Sequence, residues 1–152
     1  MLSEDVVKVP LESDDKDEAI RELIELLVRD GHISDRDAAL AAVEEREAAC
    51  STGIGNGLGL PHGKHASIDE LCVAAGTCPD GIEFDAIDGE PVYVLFLILS
   101  QADNPGPHVR TLAEVANLMK SPEMVPQLAE GESSRAFIDM LTDQSERIAE
   151  RS

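Results

Sequence analysis

Val92-Tyr93-Val94-Leu95-Phe96-Leu97-Ile98-Leu99 is an unbroken apolar run in a chain of 152 residues. Eight residues suit one strand and are far too few to span a bilayer. A strand with no polar face must be covered on both sides, and this predicts helices above and below it. The flanking sequence supplies them. Upstream, Ile20, Leu23, Ile24, Leu27 and Val28 fall at i, i+3, i+4, i+7 and i+8, which predicts a helix over 14–30 with one buried stripe, ended by Gly31. Ser34, with Asp37 three residues later, reads as the N-cap of an alanine-rich helix running to Ala49. Downstream, Val109, Leu112, Ala113, Ala116 and Met119 predict the inner face of a third helix. A shorter helical piece over 122–129 follows, then a last helix carrying Phe137, Ile138, Leu141 and Ile148, with Ser133 as its cap.

Shorter strands are predicted around the central one. Val7, Val9 and Leu11 alternate with other residues, Leu58 and Leu60 alternate with glycine up to Pro61, and 72–77 reads as a further strand. Pro79-Asp80-Gly81 and Ile87-Asp88-Gly89-Glu90-Pro91 read as turns. No stretch looks like a linker and no internal repeat is visible. The expectation is one domain over 1–152 of the α/β class, a central mixed sheet sandwiched by helices.

Charge narrows the function. The chain carries 31 acidic and 12 basic residues, a formal charge of -19. Such a surface excludes nucleic acid, whose phosphates demand Lys and Arg, and excludes docking on an anionic membrane. A basic partner protein or high salt suits it; a plain soluble acidic surface accounts for it equally well. The start, Met1-Leu2-Ser3-Glu4-Asp5, lacks the basic and apolar regions of a secretory signal. Cys50, Cys72 and Cys78 are odd in number and form no CxxC pair, so a reduced, cytoplasmic protein is expected, with Cys50 as a small buried thiol.

The candidate chemistry lies in Ser51-Thr52-Gly53-Ile54-Gly55-Asn56-Gly57-Leu58-Gly59-Leu60-Pro61-His62. A neutral imidazole is a good nucleophile toward phosphorus, and free histidine titrates near ~6.5. Phosphoryl transfer asks for in-line positioning and for cations or N–H and O–H donors around three anionic oxygens. Glycines let main-chain amides approach closely, Ser51 and Thr52 bring hydroxyls, and Pro61 restricts the backbone before His62. Arg46, in the last turn of the preceding helix, reaches over this loop. Taken alone, one histidine in a loop is most often a solvated residue, and the glycines are compatible with a tight strand entry. His108 adds weight. Asn104-Pro105-Gly106-Pro107 delivers it to a helix start, where the dipole disfavours its protonation and leaves a neutral donor for a phosphoryl oxygen. His32 and His65 read as ordinary turn and loop residues.

Rival motifs fail. The glycines at 53, 55, 57 and 59 do not give GxGxxG, and Gly63-Lys64 lacks both the first glycine and the Ser or Thr of a P-loop. The spacing of His62, His65, Cys72 and Cys78 matches no established zinc pattern.

Arg46-Glu47 followed by the stretch from Ser51 to Gly63 resembles the signature of the fructose/mannitol-type enzyme IIA domains of the phosphoenolpyruvate-dependent sugar phosphotransferase system, whose members include a nitrogen-regulatory branch. Gly81-Ile82-Glu83-Phe84-Asp85, the apolar strand and His108 extend the resemblance along nearly the whole chain. It implies the phosphotransferase/anion transport protein-like fold and a phosphoryl relay through Nε2 of His62. It implies a stabilising role for His108 and Arg46 as the cationic neighbour. The implied donor is the phosphorylated histidine-containing phosphocarrier protein, and the usual acceptor is a cysteine of an enzyme IIB domain. No metal or organic cofactor is implied. A regulatory target protein, controlled by phosphorylation-dependent binding, is the alternative partner. No IIB or IIC segment is visible, so no sugar is named. Gly59 and Leu60 stand where the family more usually has Ala-Ile, which predicts a looser backbone, and Val109 stands in place of a common leucine.

Overall fold

The computed structural model describes residues 2–151, so Met1 and Ser152 at the ends of the expected domain lie outside the described residues. Among the described residues, five helices and six strands follow a 3-10 turn, Glu4–Val6. They are β1 (Val7–Lys8), α1 (Lys16–Arg29), α2 (Arg36–Ala49), β2 (Gly53–Gly55), β3 (Leu58–Gly59), β4 (His62–His65), β5 (Cys72–Ile82), β6 (Val92–Gln101), α3 (Pro105–Leu118), α4 (Met124–Glu130) and α5 (Ser134–Arg151).

The apolar run is the spine of a mixed sheet of order β1-β5-β6-β3-β2, with β4 also paired to β6. β5 and β6 are antiparallel, Cys72 opposite Leu99 and Thr77 opposite Val94. β3 and β4 follow one another along the other side of β6, both parallel to it, Leu58 beside Val94 and His62 beside Ile98. Pro61, which has no N–H to give, sits where one short strand ends and the next begins, and its carbonyl accepts from Ile98 N at 3.0 Å.

Strand alternation sorts the spine residues into two cores. Leu95, Leu97 and Leu99 pack with the stripe of α1 and with Ala39 and Val43 of α2. Val94, Phe96 and Ile98 pack with Val115 and Met119 of α3, Val125 and Leu128 of α4, and Phe137 and Leu141 of α5. The sandwich expected from the sequence is the sandwich observed. Gly31 ends α1 as expected, at φ +80°, with its N–H on Val28 O and the His32 N–H on Leu27 O.

Several local expectations are corrected. The cap of α2 is Asp35, not Ser34: its carboxylate accepts from Ala38 N at 3.1 Å, and a charged oxygen there also meets the helix dipole. The opening strand is only two residues long, although Leu11 is buried. Gly53–Gly55 pairs with β3 instead of serving as loop, through a turn in which Gly55, Asn56 and Gly57 all have positive φ. Pro79-Asp80-Gly81 lies inside β5, absorbed by an irregularity in its pairing with β6. α3 begins at Pro105, with Asn104 as N-cap, so His108 lies inside its first turn. Its buried face is His108, Val115 and Met119, whereas Val109 is 60% exposed. The helix is rotated from the apolar prediction because the imidazole itself is turned inward. Gly59 is not loose: a Cβ there would stand 2.6 Å from Leu95 Cδ2.

Candidate active site

His62 does not lie in a loop. It is the first residue of β4, held in parallel register beside Ile98, and it is half-buried. Nothing in His62-Gly63-Lys64-His65 favours a strand strongly; the exposed edge of β6 imposes it. Gly63 makes the placement possible, because a Cβ at that position would come within 3.1 Å of the α2 backbone at Ala42 and Val43. With Gly63 turned toward α2, alternation puts His62 and Lys64 on the opposite face, toward α3. His65 falls on the α2 side and bonds Ser67 through Nδ1.

The ring of His62 is fixed by main chain. Nδ1 lies 2.7 Å from the carbonyl oxygen of Leu60, which only accepts, so Nδ1 carries the proton. In the neutral ring Nε2 is then an unprotonated lone pair. Burial lowers the pKa of His62 below its ordinary 6.5, opposed by the Leu60 carbonyl and assisted by the charge of Arg46; Glu47 opposes and Lys64 assists more weakly.

His108 faces this ring. The two centroids are 5.1 Å apart in an edge-on arrangement, with 62° between the planes. His108 is 2% exposed, and its Nδ1 lies 2.6 Å from the hydroxyl of Ser100, itself buried on β6. No other hydrogen bond of that hydroxyl occurs among the described residues, so the arrangement that satisfies both groups has Ser100 donating to Nδ1. The His108 proton then sits on Nε2, as a donor. Burial pushes the pKa of His108 from 6.5 to about 4, with the nearby charges of a protonated His62 and of Lys64 adding to it. Near neutral pH the site therefore holds two uncharged imidazoles, one with a bare nitrogen and one with an N–H.

The other residues expected at the site are placed differently. Arg46 ends α2 close enough to influence His62, while its Nη1 donates to Cys50 O at 2.8 Å. Ser51 donates its hydroxyl proton to Phe84 O at 2.9 Å, and Thr52 donates its own to Glu47 Oε1 at 2.5 Å. Both hydroxyls thus donate to protein acceptors. Cys50 is exposed, not buried, because it caps the C-terminus of α2 at the surface.

Four contributors were not legible. Ser100 reaches His108 from the end of β6, Glu47 holds Thr52 from the last turn of α2, and the Leu60 carbonyl is main chain. Lys64 would have been found by counting two residues from His62, had that segment been read as a strand.

Two wide clefts of about 810 and 570 Å³ open elsewhere, and neither is lined by His62 or His108. Among the described residues, no group of three or more His, Cys, Asp or Glu side chains is placed to hold a metal ion, and no helix is long and apolar enough to cross a membrane.

Comparison with known proteins decides the family. Residues 1–144 match the family described as phosphoenolpyruvate-dependent sugar phosphotransferase system, EIIA 2. The chain belongs to this family. It is a phosphotransfer domain of the EIIA type. A fructose-specific EIIA component of Haloferax volcanii is 37% identical over 128 residues, covering 84% of this chain and 83% of the relative. The fructose-specific EIIABC component of Bacillus subtilis is 33% identical over 141 residues; the match covers 93% of this chain but only 22% of that longer protein. Among solved structures, the nitrogen regulatory protein IIA-Ntr of Neisseria meningitidis superposes with a TM-score of 0.83 at 26% identity, covering 91% of this chain and 94% of its own. The enzyme IIA-mannitol of Escherichia coli, in complex with phosphorylated enzyme IIB-mannitol, shares the fold with a TM-score of 0.81 at 19% identity, over 94% of this chain and 98% of its own.

Proposed function

We propose that this EIIA domain accepts a phosphoryl group on Nε2 of His62 from the histidine-containing phosphocarrier protein and passes it to a cysteine of an enzyme IIB domain. The observation that carries this is the bond from His62 Nδ1 to the Leu60 carbonyl, which leaves Nε2 of the half-buried ring as the nucleophile. As Nε2 attacks, its lone pair forms the new N–P bond. The donor's N–P bond breaks, and that electron pair returns to the donor's imidazole. The ring of His62 gains positive charge while keeping its Nδ1 proton, so the bond to Leu60 O becomes charge-assisted and strengthens as the group arrives. His108 Nε2–H donates to a phosphoryl oxygen, and Arg46 and Lys64 supply positive charge alongside. In onward transfer a thiolate sulfur attacks phosphorus, the S–P bond forms, and the Nε2 pair returns to His62.

Val109, 60% exposed next to His108, gives a protein partner apolar contact beside the chemistry. The Haloferax relative, a component of similar length, favours the fructose branch. A second reading is regulatory: the likeness to the Neisseria nitrogen regulatory protein supports a chain that controls targets by direct binding, with about -1.5 to -2 added charges on phosphorylation as the switch.

Intact-mass spectrometry after incubation with phosphoenolpyruvate, enzyme I and the phosphocarrier protein tests the carrier role. An acid-labile adduct is expected on the wild type and absent from His62→Ala; full labelling of that variant would sink the assignment. Passage of label to an enzyme IIB cysteine separates transport from regulation.

A further inference from the structure

Glu47 is 8% exposed near the C-terminal end of α2, where both burial and the helix dipole disfavour a negative charge. Both its carboxylate oxygens are used on one residue. Oε2 accepts from Thr52 N at 2.6 Å and Oε1 from the Thr52 hydroxyl at 2.5 Å. Lys16, from the start of α1, places Nζ 3.7 Å from Oε2. The same ammonium donates to Phe84 O at 3.2 Å and lies 4.7 Å above the Phe84 ring, which anchors it.

From Thr52 the chain of bonds leads to the site. The carbonyl of Thr52 accepts from Leu60 N at 2.9 Å, and the carbonyl of Leu60 accepts from His62 Nδ1 at 2.7 Å. The N–H and C=O of each of these residues belong to adjacent peptide groups, so the links act by fixing the position of the main chain. We propose that Glu47 and Thr52 are positioning residues for His62. They lock the main chain around Leu60 in place, and the buried Glu47 charge, acting through space, stabilises the imidazolium that forms as phosphorus is bound. This explains why a costly buried carboxylate stands where glutamine would satisfy the same Thr52 N–H. It also gives Thr52 a place behind the nucleophile instead of on the phosphoryl group.

This role rests on phosphorylation at His62, but one of its signatures does not. In the unphosphorylated protein, ¹⁵N NMR of the His62 ring reports the fraction protonated at Nδ1. Thr52→Val and Glu47→Gln are expected to mix the two tautomers and to slow phosphorylation by the phosphocarrier protein about tenfold, the scale of one lost hydrogen bond to a charged group. Thr52→Ser keeps the hydroxyl and is expected to restore both readouts. Wild-type tautomer and rate in Thr52→Val would overturn the proposal, as would equal losses in Thr52→Val and Thr52→Ser. Should Glu47→Gln fail to fold, the valine and serine pair at Thr52 carries the test alone. If the wild type takes no phosphate on His62, the carrier role falls, while the tautomer measurement still decides whether the bonds from Glu47 set the ring.

Discussion

The hydroxyl of Ser100 lies 2.6 Å from Nδ1 of His108, both side chains buried, and it decides which nitrogen of that ring carries the proton. Ser100→Ala removes the donor and lets His108 place its proton on either nitrogen. Rapid-quench measurement of phosphoryl transfer should show a roughly 5–10-fold loss, equivalent to about 1–1.4 kcal/mol, with labelling of His62 still reaching completion. His108→Ala should be slower still. Unchanged kinetics in Ser100→Ala would remove the serine from the mechanism.

Stability should depend on pH through the same ring. In the unfolded chain His108 takes up its proton near 6.5, whereas in the folded protein it stays neutral down to about 4. Between those values the unfolded state binds more protons. The contribution is therefore whole above 6.5 and is lost as pH falls toward 4, and His62 acts in the same direction. Urea midpoints measured across this window should fall less steeply in His108→Gln than in the wild type. Parallel slopes would show that His108 takes its proton at the same pH folded and unfolded.

Thiol chemistry should separate the cysteines. Burial pushes Cys72 up to about 11 and Cys78 up to about 12, while Cys50 is exposed. A disulfide reagent at pH 8 is expected to modify one thiol rapidly in the native protein and the other two only on unfolding. Cys50→Ser should abolish the fast phase, and a fast phase that survives it would contradict the burial of the other two.

Gly53 is hemmed in by backbone. A Cβ at this position would stand 2.8 Å from Ala86 Cβ and 2.9 Å from Ala86 Cα, so the 83–88 segment would have to move. Gly53→Ala is expected to cost roughly 1–3 kcal/mol by chemical denaturation. A loss too small to measure would mean that β2 and this segment separate freely.

The layers of the fold were legible because they rest on periodicity: an apolar strand demands two covers, and the stripes of α1 and α5 provide them. The edge was not. β4 is a strand because β6 has an edge to offer, and no residue in His62-Gly63-Lys64-His65 announces it. The rotation of α3 was missed for a related reason. Hydropathy placed Val109 inside, but a histidine bonded to a buried serine can occupy the inner face while a valine remains outside. His62, His108 and Arg46 were visible as residue types in a recognisable order. Their supporting bonds run through Ser100, Glu47 and a peptide carbonyl, and local sequence does not say which hydroxyl or carboxylate will lie across from which ring.

The acceptor that orients His62 is the carbonyl oxygen of Leu60, which every amino acid possesses. It has no codon of its own. Substitution at position 60 changes how the core packs but deletes no part of that bond, so the histidine's orientation is shielded from direct mutational loss. It is exposed only to changes that displace the peptide, and these fall at other positions, some of them well apart in the sequence. Drift at this site should therefore surface as altered rates caused by remote replacements, with the histidine itself untouched.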